Sequence, residues 1–253
     1  MPHAGLDLDA ESLATLAAPA SAIGQDADLY VDELYAGAAD LGATVLVAHT
    51  SRYLCDLNRS EHDVDSLSLR GGQGRAAPHG LVWRQTTDER PALHGPLEPR
   101  ELERRLELYY RPYHRTLSAL LAAKRARFGF AVLLCAHSMP SVGKSAAGEN
   151  GRPRADVVPG TRGRTSADPH LIEVPDRLAR EAGLSVVHDD PYRGGFSTAH
   201  YGRPGQGTHA VQVELSRRLY MDEQTLARRP EGFARLRGWC DALVERLGAT
   251  RVA

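Results

Sequence analysis

Apolar residues along the chain follow two spacings: stripes at three-to-four-residue intervals and short unbroken runs, the pattern of helices packed on a central sheet. Residues 28–41 place Tyr30, Leu34, Ala38 and Leu41 on one helical stripe that stops at Gly42. Residues 99–127 give the longest stripe, through Leu102, Leu106, Tyr109, Tyr113, Leu117 and Leu121, with a bend expected at Pro112 because it has no N–H to offer. Residues 168–182, interrupted near Pro175, and residues 230–247, through Phe233, Leu236, Trp239, Leu243 and Leu247, predict two more helices. Short apolar runs at 44–48, 130–135, 185–188 and 210–215 read as buried strands. Residues 51–96, 143–166 and 189–207 are rich in turn-forming residues and read as loops, the first wrapped on the surface over a cleft. The alternation predicts an α/β sandwich in one domain, residues 1–253.

Charge narrows the function. With 31 Lys and Arg against 32 Asp and Glu, no basic field exists for nucleic acid or an acidic membrane. The longest strongly apolar run, 128–136, falls far short of the roughly 18 residues of a membrane helix. The opening residues hold no basic segment followed by an apolar core, so no secretory signal is expected. Cys55, Cys135 and Cys240 are odd in number and widely spaced, which argues against a disulfide framework and for a reducing compartment. A cytoplasmic protein is the expectation.

In open α/β sheets, ligands bind beyond the carboxyl ends of the strands. His137 closes a strand with no other polar group; it reads as a satisfied core histidine or as a metal ligand. Glu214 lies inside an apolar strand, either in an ion pair with arginine or as a carboxylate tuned for proton transfer. Asn58-Arg59 is a surface turn or a two-pronged contact for a carboxylate. The glycine-rich segments 71–74 and 202–207 lack a phosphate-binding fingerprint, and no Gly-x-Ser-x-Gly elbow exists.

Nearly the whole chain carries motifs in one order: Pro2-His3-Ala4-Gly5, Asp26-Ala27-Asp28, Ser51-Arg52-Tyr53, Asp56-Leu57-Asn58-Arg59, and His137-Ser138-Met139-Pro140-Ser141. They continue through Tyr192-Arg193-Gly194-Gly195-Phe196-Ser197-Thr198-Ala199-His200-Tyr201-Gly202, His209-Ala210-Val211-Gln212-Val213-Glu214-Leu215 and Tyr220-Met221-Asp222-Glu223. This series resembles the N-formylglutamate amidohydrolase (deformylase) family, related to the zinc carboxypeptidases and aspartoacylase. The resemblance implies a three-layer sandwich, a central mixed β-sheet flanked by helices, and a zinc-dependent hydrolase that cleaves a small N-acyl amino acid. N-formyl-L-glutamate is the expected substrate, with formate and glutamate as products.

By position, the resemblance assigns one zinc ion to His3, His137 and Asp28, on the first turn of the first helix, with Asp26 as the competitor for the carboxylate. Glu214 becomes the acid–base group. Asn58 and Arg59 would hold the substrate α-carboxylate, Arg193 and Arg52 are candidates for the second carboxylate, and His200 and Tyr201 for contact with substrate. The chain departs from its relatives at Leu6, where the carboxypeptidases carry the ligand carboxylate, and at Cys135, where the family has Asp; a buried thiol is expected there. His188-Asp189 also replaces uncharged residues, and no strand precedes the Pro-His motif. The alternatives are a hydrolase of another N-acyl amino acid and a metal-free carboxylate-binding protein.

Overall fold

The computed structural model describes residues 1–143 and 151–252. Three strands, β1 (Ala131–Met139), β2 (Val157–Gly160) and β3 (Thr208–Ser216), form a mixed sheet in the order β1-β3-β2. β1 runs parallel to β3, with His137 opposite Glu214 and Cys135 opposite Gln212, and β2 runs antiparallel to β3. The described residues also form eight α-helices: α1 (Ala10–Leu13), α2 (Ala20–Asp26), α3 (Val31–Leu34), α4 (Pro99–Arg105), α5 (Arg111–Phe128), α6 (Pro169–Glu181), α7 (Phe196–Tyr201) and α8 (Pro230–Ala249).

Side chains alternate across a strand, so the two sheet faces have different fates. Val211, Val213 and Leu215 with Ala136 bury one face against α3 and α6, and α8 packs behind both helices. Full burial of each such aliphatic side chain contributes about 1.5–3 kcal/mol. On the other face α5 covers β1 through Leu117 and Leu121, and α7 crosses β1 and β3. That same face carries Cys135, His137, Gln212 and Glu214. The expected sandwich of a mixed sheet between helices is therefore the observed one.

Several elements differ from expectation. The 44–48 run is extended but enters no sheet: Ala48 N–H donates to Met1 O at 3.0 Å, and Val45 is exposed. The helix expected over 28–41 is only α3 plus a 3₁₀ turn at Ala36–Ala38, so Asp28 precedes the first turn rather than lying in it. The long 99–127 helix is continuous but widens into a π-helical turn at Leu106–Tyr110. Pro112 cannot donate to the carbonyl one turn back, and the helix relaxes just upstream of it.

β1 extends four residues beyond the expected end, to Met139, because β3 pairs with it throughout; His137 is thus inside a strand. Part of the 143–166 stretch read as loop is β2; its Pro159 and Gly160 are tolerated at an edge position. The rest of that stretch includes residues 144–150, which lie outside the described residues. Residues 185–188 run beside β2 through a single parallel bridge, Val157 to Val186. α1, α2 and α7 were not anticipated; each is short, and none carries a full amphipathic repeat.

The 51–96 segment is irregular, as expected, yet not merely superficial. Tyr53, Leu57, Leu81, Trp83 and Leu93 form their own core with Leu102 and Leu106. Arg105, fully buried, ties this segment to α4 by donating to the carbonyl of Leu54 at 3.2 Å and to Thr15 Oγ1 at 2.7 Å, while Glu101 balances its charge at 2.8 Å. Among the described residues, no helix is long and apolar enough to cross a membrane.

Candidate active site

A cleft of about 460 Å³ opens on the polar face of β1 and β3, walled by the 51–96 segment and by residues 191–195. His3, Asp28 and His137 meet at its base. Their ligand atoms lie within 4.8 Å of one another and all three side chains are buried; among the described residues they form the one such cluster. His137 Nδ1 is 2.9 Å from Asp28 Oδ2, and His3 Nδ1 is 3.7 Å from the same oxygen.

Three chain segments are held together to do this. His3 comes from an extended arm whose carbonyl accepts Asp28 N–H at 2.9 Å. Its Nε2 lies 2.7 Å from Asp56 Oδ1, which holds the ring with Nδ1 turned toward Asp28. Asp56 in turn accepts from Arg52 at 2.8 Å and Trp83 Nε1 at 3.1 Å. Arg217, in the turn after β3, donates to Ala27 O at 2.7 Å and Ser138 Oγ at 3.2 Å, and lies 3.4 Å from Asp28 Oδ1. It clamps the Asp28 segment onto the end of β1.

The electrostatics separate the carboxylates. Burial alone would raise the Asp28 carboxyl; hydrogen bonds from His137 and His3, and their charges, outweigh it and hold the group well below the usual range. Asp56 is likewise held low against burial, by His3 and Arg52. Glu214 goes the other way. Burial pushes it up to about 7, the His137 charge opposing and the Asp28 charge adding to the rise. A carboxyl poised near neutrality beside a cluster of ligating groups can accept and return a proton.

The predicted residues divide plainly. His3, Asp28, His137, Glu214, Asn58, Arg59, Arg52 and Arg193 all line the cleft. Asp26, the competing ligand, lines it too but is bound by Tyr53 OH at 2.5 Å and by Thr87, outside the cluster. Arg52 is largely committed: it donates to Asp56 and to Asp26 O and lies 4.3 Å over the Trp83 ring. Asn58 is buried, and its Oδ1 accepts Ser197 N–H at 2.9 Å. Arg59 has only a 3.9 Å pairing with Asp63, both half-exposed.

His200 is not brought to the cleft. It is exposed and stacked on Phe196 at 4.9 Å, while Tyr201 OH lies 2.9 Å from Nδ1 of the half-buried His114. Cys135 is a buried thiol pushed up to about 11 by that burial, outside the ligand cluster. Asp189 organises backbone: its carboxylate accepts Thr161 N–H at 2.6 Å and Gly163 N–H at 2.8 Å.

Five cleft residues escaped sequence reasoning. Gln212 was legible, since it stands two residues before Glu214 on an otherwise apolar strand and so shares its face. Arg217 and Trp83 gave no local sign. Arg154, buried against Tyr192 with 5.2 Å between guanidinium and ring, sat in a segment resembling surface loop. His79, in the irregular 51–96 segment, is half-buried with its ring 4.6 Å from Trp83.

The chain matches the N-formylglutamate amidohydrolase family model over residues 1–221. It is 38% identical over 227 residues to the N-formylglutamate deformylase of Pseudomonas aeruginosa, covering 88% of this chain and 81% of that one. A Pseudomonas putida N-formylglutamate deformylase is 37% identical over 232 residues, with 88% and 80% covered. A solved N-formylglutamate amidohydrolase from Ralstonia eutropha superposes with a TM-score of 0.88 at 32% identity, over 98% of this chain and 91% of that one. The Agrobacterium tumefaciens protein Atu2144 shares the fold, with a TM-score of 0.60 at 18% identity over 96% and 82% of the two chains. The order of motifs, the sheet that carries them and these relatives lead to one assignment: the chain belongs to the N-formylglutamate amidohydrolase family.

Proposed function

We propose that the protein is a zinc-dependent amidohydrolase that converts N-formyl-L-glutamate and water to formate and L-glutamate. One observation carries this reading: two imidazoles and a carboxylate converge in a cleft that also holds a near-neutral glutamate and two weakly committed arginines. The donor set fits zinc. Bonds of about 2.0–2.1 Å in a tetrahedral site need donors roughly 3.4 Å apart, which small side-chain adjustments reach from the present spacing. Three protein ligands leave a position open for solvent, as hydrolytic zinc requires. Bound there, the cation would supply Lewis acidity, polarising the formyl oxygen and acidifying the attacking water.

The chain's own residues supply the rest. Glu214 takes the proton from water and delivers it to the amine as the C–N bond breaks, so the same carboxyl ends as it began. Asn58 and Arg59 receive the α-carboxylate, and Arg193, exposed at the rim with no ion-pair partner among the described residues, receives the side-chain carboxylate. Holding both ends fixes the formyl carbon over the nucleophile. Arg52 serves mainly to hold Asp56, and through it His3.

Formate release from a panel of N-formyl amino acids, before and after chelation and zinc restoration, tests the reading. Turnover of N-formylglutamate that chelation removes and zinc restores is expected. Turnover of acetyl amino acids alone would replace it with an aspartoacylase-like activity. A protein that binds well under one equivalent of zinc and releases no formate would be a carboxylate-binding protein instead.

A further inference from the structure

We infer that Gln212 is a positioning residue for Glu214, through which the loop at residues 192–196 sets the orientation of the base; the inference rests on the proposed hydrolysis. Gln212 and Glu214 lie two apart on β3, both buried, on the same sheet face. Gln212 Oε1 accepts Gly195 N–H at 2.9 Å. A backbone N–H can only donate, so the polarity of this amide is fixed by the backbone. Its NH₂ group is thereby turned to Glu214 Oε1, which it reaches at 2.9 Å.

A second amide is oriented in the same way. Ser197 N–H occupies Asn58 Oδ1, so Asn58 Nδ2 faces Gln212 Oε1 at 3.4 Å. The turn that begins at Gly195 thus dictates the direction of both side-chain amides beside the base. Gly195 is required for this approach: a Cβ there would stand 2.3 Å from Asn58 Nδ2. The consequence for chemistry is specific. Gln212 engages Oε1 and leaves the other carboxylate oxygen of Glu214 for proton transfer, while restraining a side chain whose neighbours on the strand are aliphatic.

The test is a cycle of Gln212→Met, which keeps length but cannot hydrogen-bond, with Glu214→Gln. Gln212→Met should lower kcat for formate release at least tenfold, with KM and bound zinc within twofold of wild type. In the Glu214→Gln background the same change should cost less than twofold further. A kcat within twofold of wild type, or an equal loss in both backgrounds, would overturn the inference. Should Gln212→Met fail to fold, Gln212→Glu decides: it keeps the acceptor for Gly195 but sets a second carboxylate against Glu214, so the acid limb of kcat should move up by a pH unit or more. An unmoved limb would overturn the inference. A wild-type protein that releases no formate refutes the hydrolysis itself, whereas an active wild type with indifferent variants refutes only the role of Gln212.

Discussion

His137 and Glu214 are register partners on adjacent parallel strands, and their side chains rise from the same face of the sheet. A candidate ligand and a candidate proton acceptor are therefore fixed relative to each other by backbone hydrogen bonds rather than by loops. Glu214→Gln should accordingly keep fold and zinc content and lose roughly 10²–10⁴ in kcat, the usual contribution of positioned proton transfer. Unchanged kcat in steady-state assays would remove Glu214 from the reaction.

The raised proton affinity of Glu214 has a thermodynamic signature in metal-free protein. The ordinary glutamate value is 4.5, and burial pushes this carboxyl to about 7 in the folded state. Between those values the folded protein holds a proton that the unfolded chain has released. Stability is therefore fully present below 4.5 and falls as pH rises to 7, by about 3 kcal/mol at most. The half-buried His114, pushed down to about 4 by loss of solvent, titrates with the opposite sign below 6.5. The difference between wild type and Glu214→Gln isolates the glutamate; urea melts in chelator from pH 4.5 to 7.5 should show wild type losing ground to the variant. Parallel curves would disprove the shift.

Arg217 is buried among carbonyls and beside Asp28, so its loss leaves a carboxylate without its cation. Arg217→Met should cost about 3–5 kcal/mol, the usual penalty for breaking a buried pair. Zinc affinity should fall 10–100-fold with it, because the Asp28 segment loses its clamp. Denaturant unfolding and a competitive zinc titration measure the two effects, and wild-type values in both would show the clamp to be dispensable.

The two arginines with the least committed charge should divide the substrate between them. Arg193→Ala should raise KM for N-formylglutamate roughly 10–100-fold, the loss of a charge-assisted contact, yet leave an N-formyl amino acid with an uncharged side chain nearly unaffected. Arg59→Ala should penalise both substrates alike, since each carries the α-carboxylate. Equal effects of Arg193→Ala on the two substrates would place the distal carboxylate elsewhere.

Much of this candidate site is legible in the sequence, and the reasons are particular. His137 and Glu214 stood out because a polar side chain inside an apolar run has to be accounted for. His3 and Asp28 follow from motif order alone; nothing local marks His3, whose rigidity derives from Asp56 and from Asp28 N–H, both remote in sequence. Arg217 and Trp83 were invisible because their roles consist of contacts across 189 and 27 residues. In the fold, β1 and β3 announced themselves as unbroken apolar runs. The edge strand β2 did not, since Val-Val-Pro-Gly reads as a turn until Asp189 N–H is seen reaching Pro159 O.

Positions 3, 28 and 137 belong to an arm, a helix entrance and the strand β1, brought together over more than half the chain. A cation gripped by all three would act as a removable staple between the first thirty residues and the sheet. Resistance of that arm to a protease should therefore report occupancy directly, rising with the logarithm of free zinc above its dissociation constant and vanishing on chelation.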